Sequence, residues 1–162
     1  MPEPQAASPA IRYYWEDMTV GTVRELGQVT VKREEVIEFA RQFDPQPFHL
    51  DDAAAAETHF GRLAASGWHT CGMVMRVLVD NFLRYSSSLG SPGLEKVKWP
   101  KPVYPGDTLT VRQQVMEARP LNSRPNVGLV RSHLQAFNQH GQQVLLIDSY
   151  ALFRRRETAG KS

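Results

Sequence analysis

The run that decides the fold is Gly67–Arg84, GWHTCGMVMRVLVDNFLR. Its apolar residues Met73, Val74, Val77, Leu78, Phe82 and Leu83 cover much of a helical circumference, which predicts a long, largely buried helix. Ser86 to Gly93, with two glycines and Pro92, ends it in a loop. Strand-like runs follow: Leu94–Trp99, Thr108–Ala118, Val127–Asn138 and Gln143–Phe153. His140-Gly141 sits between the last two where a two-residue hairpin turn belongs, with glycine supplying the positive φ. Consecutive hairpins imply an antiparallel sheet. A sheet of that kind around one long helix is an α+β layer architecture.

Upstream, Thr22–Leu26 and Val29–Val31 read as two short extended runs around Gly27. Glu34–Phe43 is helical, with Val36, Phe39, Ala40 and Phe43 on one face and Glu34 and Glu35 in the first turn, where negative charge suits the helix dipole. Pro45 ends it, because a residue before proline is pushed out of the α region. Asp44-Pro45-Gln46-Pro47-Phe48-His49 is then a stiff, extended turn holding a carboxylate and an imidazole. Fixed acid and base groups of this kind are what water addition or removal beside a carbonyl requires. Asp51–Glu57, with four consecutive alanines, predicts a short helix, and 59–66 an irregular link.

Length suits one domain, 13–154, with a loose proline-bearing arm at 1–12 and a basic tail at 155–162. The formal net charge is +2, with Arg154-Arg155-Arg156 clustered near the end, a solvated terminus rather than a nucleic-acid or membrane surface. The single Cys71 excludes an intrachain disulfide. No stretch approaches the roughly 20 apolar residues of a membrane span. The N-terminus lacks the basic and apolar regions of a secretory leader, and the chain reads as cytoplasmic. His49, His59 and His69 are spaced by tens, unlike zinc sites, so no metal is expected. Ser66 lies in no Gly-x-Ser-x-Gly elbow, which argues against a hydrolytic nucleophile.

Several segments together resemble the MaoC-like dehydratases and (R)-specific enoyl-CoA hydratases of the hot-dog fold. They are Tyr14-Trp15-Glu16-Asp17 with Val20-Gly21, Phe39 to His49, Ala65-Ser66-Gly67-Trp68-His69-Thr70, Val103-Tyr104-Pro105-Gly106-Asp107 and the hairpin at Asn138–Gly141. The resemblance spans Tyr14 to Arg154. The family's motif is Asp, four residues, His, then a short alanine-containing helix, matched by Asp44, His49 and Ala53–Ala56. Phe43 stands where the family often has glycine, and Gln46-Pro47 replaces its Asn-Pro.

The resemblance implies a single hot-dog domain whose sheet wraps the central helix, pairing as a homodimer or dimer of dimers. It implies water addition to a trans-2-enoyl-CoA or carrier-protein thioester, giving an (R)-3-hydroxyacyl product without cofactor or metal. Asp44 would take the water proton, His49 would orient the water and protonate C2, and the Gly67 N–H would meet the thioester oxygen. Ser66, at the Ser-Gly helix start, would serve the substrate. Phe48 and Trp68 are bulky apolar neighbours of this polar centre and the expected lining of an acyl pocket. Two other readings stand beside this one. A hot-dog thioesterase needs a carboxylate on or beside the central helix, where Asp80 is the only acid within it. A non-catalytic acyl-thioester-binding subunit is the third.

Overall fold

The computed structural model describes residues 8–157; residues 1–7 of the expected arm and 158–162 of the expected tail lie outside it. In chain order the elements are β1 (Val23–Thr30), α1 (Arg33–Phe43), α2 (Asp52–Ala56), α3 (Gly67–Asn81), β2 (Leu94–Lys98), β3 (Thr108–Pro120), β4 (Val127–Phe137) and β5 (Gln143–Arg154). The five strands form one antiparallel sheet in the order β1-β3-β4-β5-β2. The sheet packs on α3, the α+β hot-dog arrangement expected above.

The core forms where α3 meets the sheet. Met73, Val74, Val77 and Leu78 are buried against inward residues including Leu109, Val111, Val115, Leu134 and Leu145. The helix is buried on that face only. Met75 and Val79, on its other side, are exposed among the described residues. The helix also stops at Asn81, three residues short of the expected Arg84. Phe82 leaves the helical region (φ −145°) and packs its ring between Tyr13 and Phe153, at 5.0 and 6.4 Å. Burial of that ring, 1% exposed, outweighs three more helical residues. The Asn81 side chain donates to the Val77 carbonyl at 2.9 Å, satisfying one acceptor at the helix end.

The two short runs expected around Gly27 are one strand. Gly27 adopts φ +136° at a bulge in the β1–β3 ladder, so the strand bends without breaking. A Cβ there would also meet Asn81 Nδ2 at 3.3 Å, so the bend lets α3 approach. The last hairpin closes with three residues, 139–141, rather than two. Gly141 N–H donates to Asn138 O at 3.0 Å, Gly141 has φ +74°, and Asn138 N–H donates to Gln142 O at 2.9 Å. This is a tight turn followed by a left-handed glycine.

At the chain ends, the amides of Arg12 and Tyr13 donate to Tyr85 O. Arg156 contacts the Asp17 carboxylate at 2.7 Å, and its amide donates to Glu16. The start of the expected solvated tail is thus held against the first turn.

On the outer sheet face, Asp148 is almost fully buried and accepts two hydrogen bonds from Arg131, at 2.9 and 2.8 Å. Those bonds hold its carboxyl below the ordinary range despite burial, which acts the other way. A depressed folded-state pKa means that this stability is complete above the unfolded value of about 3.9 and is lost as pH falls below it. Asp148→Asn is therefore expected to cost about 1.5–3 kcal/mol at pH 7. It should also flatten the fall in stability below about pH 4. Denaturant midpoints from pH 7 to 3 measure both effects. An unchanged acid limb would remove Asp148 from the acid sensitivity of the fold.

Candidate active site

α1 hands the chain directly to the site. The Asp44 N–H still donates to Ala40 O at 2.9 Å, but Asp44 itself sits at φ −151°, ψ 66°, out of the helix as Pro45 demands. Gln46 is extended. The expected extended turn then gives way to a single 3-10 turn over Pro47–His49, because the fixed φ of Pro47 suits a first helical position. This short reversal brings His49 Nε2 to 3.4 Å from Asp44 Oδ2.

Both side chains are held from behind. Asp44 Oδ2 accepts from Ser66 Oγ at 2.7 Å, and Oδ1 accepts from Gln46 Nε2 at 2.7 Å. Partial burial pushes the Asp44 carboxyl up. The hydrogen bonds from Gln46 and Ser66, together with the facing His49, outweigh it and hold the group below the usual carboxylate value. His49 is buried, and its Nδ1 lies 2.6 Å from Ala64 O. A carbonyl only accepts, so Nδ1 carries a hydrogen, and in the neutral ring Nε2 presents a lone pair toward Asp44. In that form the pair can accept both O–H groups of one water.

The link before α3 supplies those supports. Asp51 caps α2 by accepting from Ala54 N, and Asp52 accepts from Leu63 N at 3.0 Å while pairing with Arg33 at 2.6 Å. Leu63 so placed leads into Ala64 and Ala65, whose amides donate to Phe48 O and Val103 O. Ser66 then precedes α3, but its hydroxyl reaches Asp44 rather than capping its own helix. Thr70 is the first α3 amide with a backbone acceptor, Ser66 O at 3.1 Å. The amides of Gly67, Trp68 and His69 form the open positive end of the helix.

A cavity of about 440 Å³ gathers Asp44, His49, Phe60, Gly67, Trp68 and Trp99. Gly67 has a steric role there. A Cβ on it would lie 2.6 Å from the Trp99 indole, and Trp99 Nε1 donates to Gly67 O at 2.9 Å. Trp68, 61% exposed, stands edge-on to Trp99 with centroids 5.4 Å apart.

Of the residues singled out from sequence, Asp44, His49, Ser66, Gly67 and Trp68 converge here. Phe48 stands behind: its half-buried ring is 4.6 Å from His49 and 5.2 Å from Phe60, and Phe60 is the ring on the cavity wall. Met73 and Val77 belong to the core. His69 stacks on Phe39 of α1 at 4.9 Å, where burial holds its pKa down. Asp80 pairs with Arg76 at 2.8 Å on the exposed side of α3. Sequence reasoning passed over Phe60, Trp99 and Lys101, and weighed His59 only as a metal ligand, whereas it lines this cavity. The available signals were an aromatic before Gly61 in an irregular link, and a tryptophan opening the run Pro100-Lys101-Pro102.

The description of MaoC-like domains matches residues 17–135 of the chain. The chain is 31% identical over 116 residues to the 3-hydroxybutyryl-CoA dehydratase of Methylorubrum extorquens, covering 68% of this chain and 69% of that one. It is 25% identical over 140 residues to YdeM of Bacillus subtilis, a protein without an assigned function, covering 86% and 98%. The crystal structure of a MaoC-like dehydratase from Rhodospirillum rubrum superposes with a TM-score of 0.84 at 37% identity, covering 91% of this chain and all of that one. The (R)-hydratase PhaJ1 of Pseudomonas aeruginosa superposes with a TM-score of 0.71 at 25% identity, covering 92% and 93%.

Proposed function

Because the chain belongs to the family of MaoC-like domains, we propose that it is a hydro-lyase acting on acyl thioesters. The reaction is reversible addition of water to a trans-2-enoyl-CoA, or the equivalent carrier-protein thioester, giving the (R)-3-hydroxyacyl product. The observation that carries this reading is the Asp44–His49 pair, 3.4 Å apart on the wall of a cavity that also holds the start of α3. The activity of the Methylorubrum relative supports it.

In hydration, one water donates a hydrogen bond to Asp44 Oδ2 and another to His49 Nε2. Asp44 takes a proton as the water oxygen bonds to C3. The C2–C3 π electrons move toward the thioester carbonyl, and its developing negative oxygen meets the Gly67 amide and the helix end. Asp44 and His49 then act together to return one proton to C2, so both groups finish as they began. Ser66 and Gln46 hold the carboxylate ionised and aligned. Trp68 and Phe60 form apolar walls for the acyl group, with Phe48 setting the position of Phe60 from behind. The domain running over 13–154 carries all of these groups.

A homodimer is the proposed working unit. β2 is an edge strand with an exposed outer side, and exposed edges call for covering. Trp68 and Trp99 at the cavity are also exposed, at 61% and 41%. Light scattering at assay concentration is expected to give twice the chain mass. A fully active monomer would contradict it.

Parallel assays on crotonyl-CoA test the function itself. Loss of the enoyl absorbance without release of free thiol is the expected result. Thiol release without hydration would instead favour a thioesterase.

A further inference from the structure

A second cavity, about 250 Å³, adjoins the first and shares Lys101 and Pro102 with it. Arg62, Tyr104, Asp107 and His140 also line it. Among the described residues, neither Arg62 nor Lys101 has a hydrogen-bonded or ion-paired partner, although both are exposed on the same groove. The groove's own carboxylate is already used. Asp107 is 4% exposed, and its oxygens accept from Tyr104 N and Gln139 Nε2, both at 3.0 Å. Asp52, the other acid near Arg62, is engaged by Arg33. Against the one buried carboxylate of Asp107 the groove sets two exposed cations, Arg62 and Lys101, and so carries net positive charge.

Arg62 is also held in place. Its guanidinium lies 3.9 Å from the Tyr104 ring centroid, and Tyr104 Oη donates to the carbonyl of Phe60 at 2.7 Å, the residue whose ring walls the reaction cavity. Stacking on an aromatic face leaves the guanidinium edge free to offer parallel N–H donors, the geometry that suits a phosphate. The chain thus sets Arg62, stacked on Tyr104, and Lys101, shared with the reaction cavity, on one groove.

We propose that this groove receives the phosphate at the far end of the thioester's pantetheine arm, with Arg62 and Lys101 as its ligands. The inference rests on the acyl-thioester reading of the adjoining cavity. It adds a specificity element: affinity is drawn from the phosphate end of the substrate and not only from the acyl end.

The test compares crotonyl-CoA, crotonyl-carrier protein and phosphate-free crotonyl-pantetheine in the wild type and in Arg62→Ala, Lys101→Ala and the double variant. For the double variant, the ratio of KM for crotonyl-CoA to KM for crotonyl-pantetheine should rise at least about tenfold. Lys101→Arg should restore most of the Lys101→Ala loss. A parallel loss on the carrier-protein substrate assigns the phosphate common to both, whereas a loss confined to crotonyl-CoA assigns the diphosphate and nucleotide end. Calorimetric titration with free CoA and with pantetheine gives the same comparison without turnover. Weakened binding of CoA but not of pantetheine supports the groove even if none of the three thioesters is hydrated, an outcome that would defeat only the hydratase reading. Equal changes for CoA and pantetheine, or none for either, would overturn the proposal.

Discussion

Asp44→Asn is expected to lower kcat for the proposed enoyl-thioester hydration at least about 100-fold, with the fold intact. The substitution keeps the shape of the side chain and an oxygen for Ser66 Oγ, now 2.7 Å away, but removes the base. With that oxygen in the Oδ2 place that Ser66 and His49 face, the new N–H₂ group takes the Oδ1 place beside Gln46 Nε2, where two donors meet unless the Gln46 amide turns over. A 100-fold loss corresponds to about 2.7 kcal/mol of barrier, a magnitude expected from one general base. KM should move far less than kcat, because the lost interaction belongs to the transition state. His49→Ala should match this loss, and the double variant should fall little below either single one, since the pair handles one water as a unit. Steady-state rates on variants with wild-type circular dichroism measure it. Near-wild-type turnover in either variant would remove that residue from the chemistry.

The second large effect falls on Gly67→Ala. Helix propensity alone predicts that alanine stabilises α3 by about 1 kcal/mol. Packing predicts the reverse, because the new methyl would sit 2.6 Å from the Trp99 ring. The indole must move, breaking its bond to Gly67 O and shifting the cavity wall beside the proposed oxyanion amide. Overpacking of this kind costs about 1–3 kcal/mol, so the packing term wins. A displacement near 1 Å at the reacting centre costs about 100-fold, and kcat/KM should fall by that order. Adding Trp99→Ala to Gly67→Ala should recover part of the lost stability, since the clash is then gone. A Gly67→Ala protein that is more stable than wild type and fully active would show that the indole yields freely.

The parts of the fold that follow from periodicity and from proline were legible in the sequence. Strand alternation in β3 and β4, the apolar face of α3 and the end of α1 at Pro45 depend on neighbours along the chain. The early end of α3 was not legible, because it depends on Phe82 finding Tyr13 and Phe153, more than sixty residues away on either side. The same holds in the site. The Asp44–His49 pair is local and shows as a spacing. The Ser66 bond to Asp44, the Ala64 carbonyl behind His49 and the Trp99 ring against Gly67 join segments that only the fold brings together. Phe48 was drawn to the pocket by its place between Pro47 and His49, whereas the 3-10 turn carries its ring behind Phe60.

The most direct test of the central claim is the fate of crotonyl-CoA in deuterated water with the purified wild-type protein, followed by NMR and chiral analysis of the product. The expected product is 3-hydroxybutyryl-CoA of the (R) configuration, carrying one deuterium at C2 added to the same face as the oxygen at C3, with the thioester intact. Absence of any hydration, an (S) product, or cleavage of the thioester in its place would contradict it.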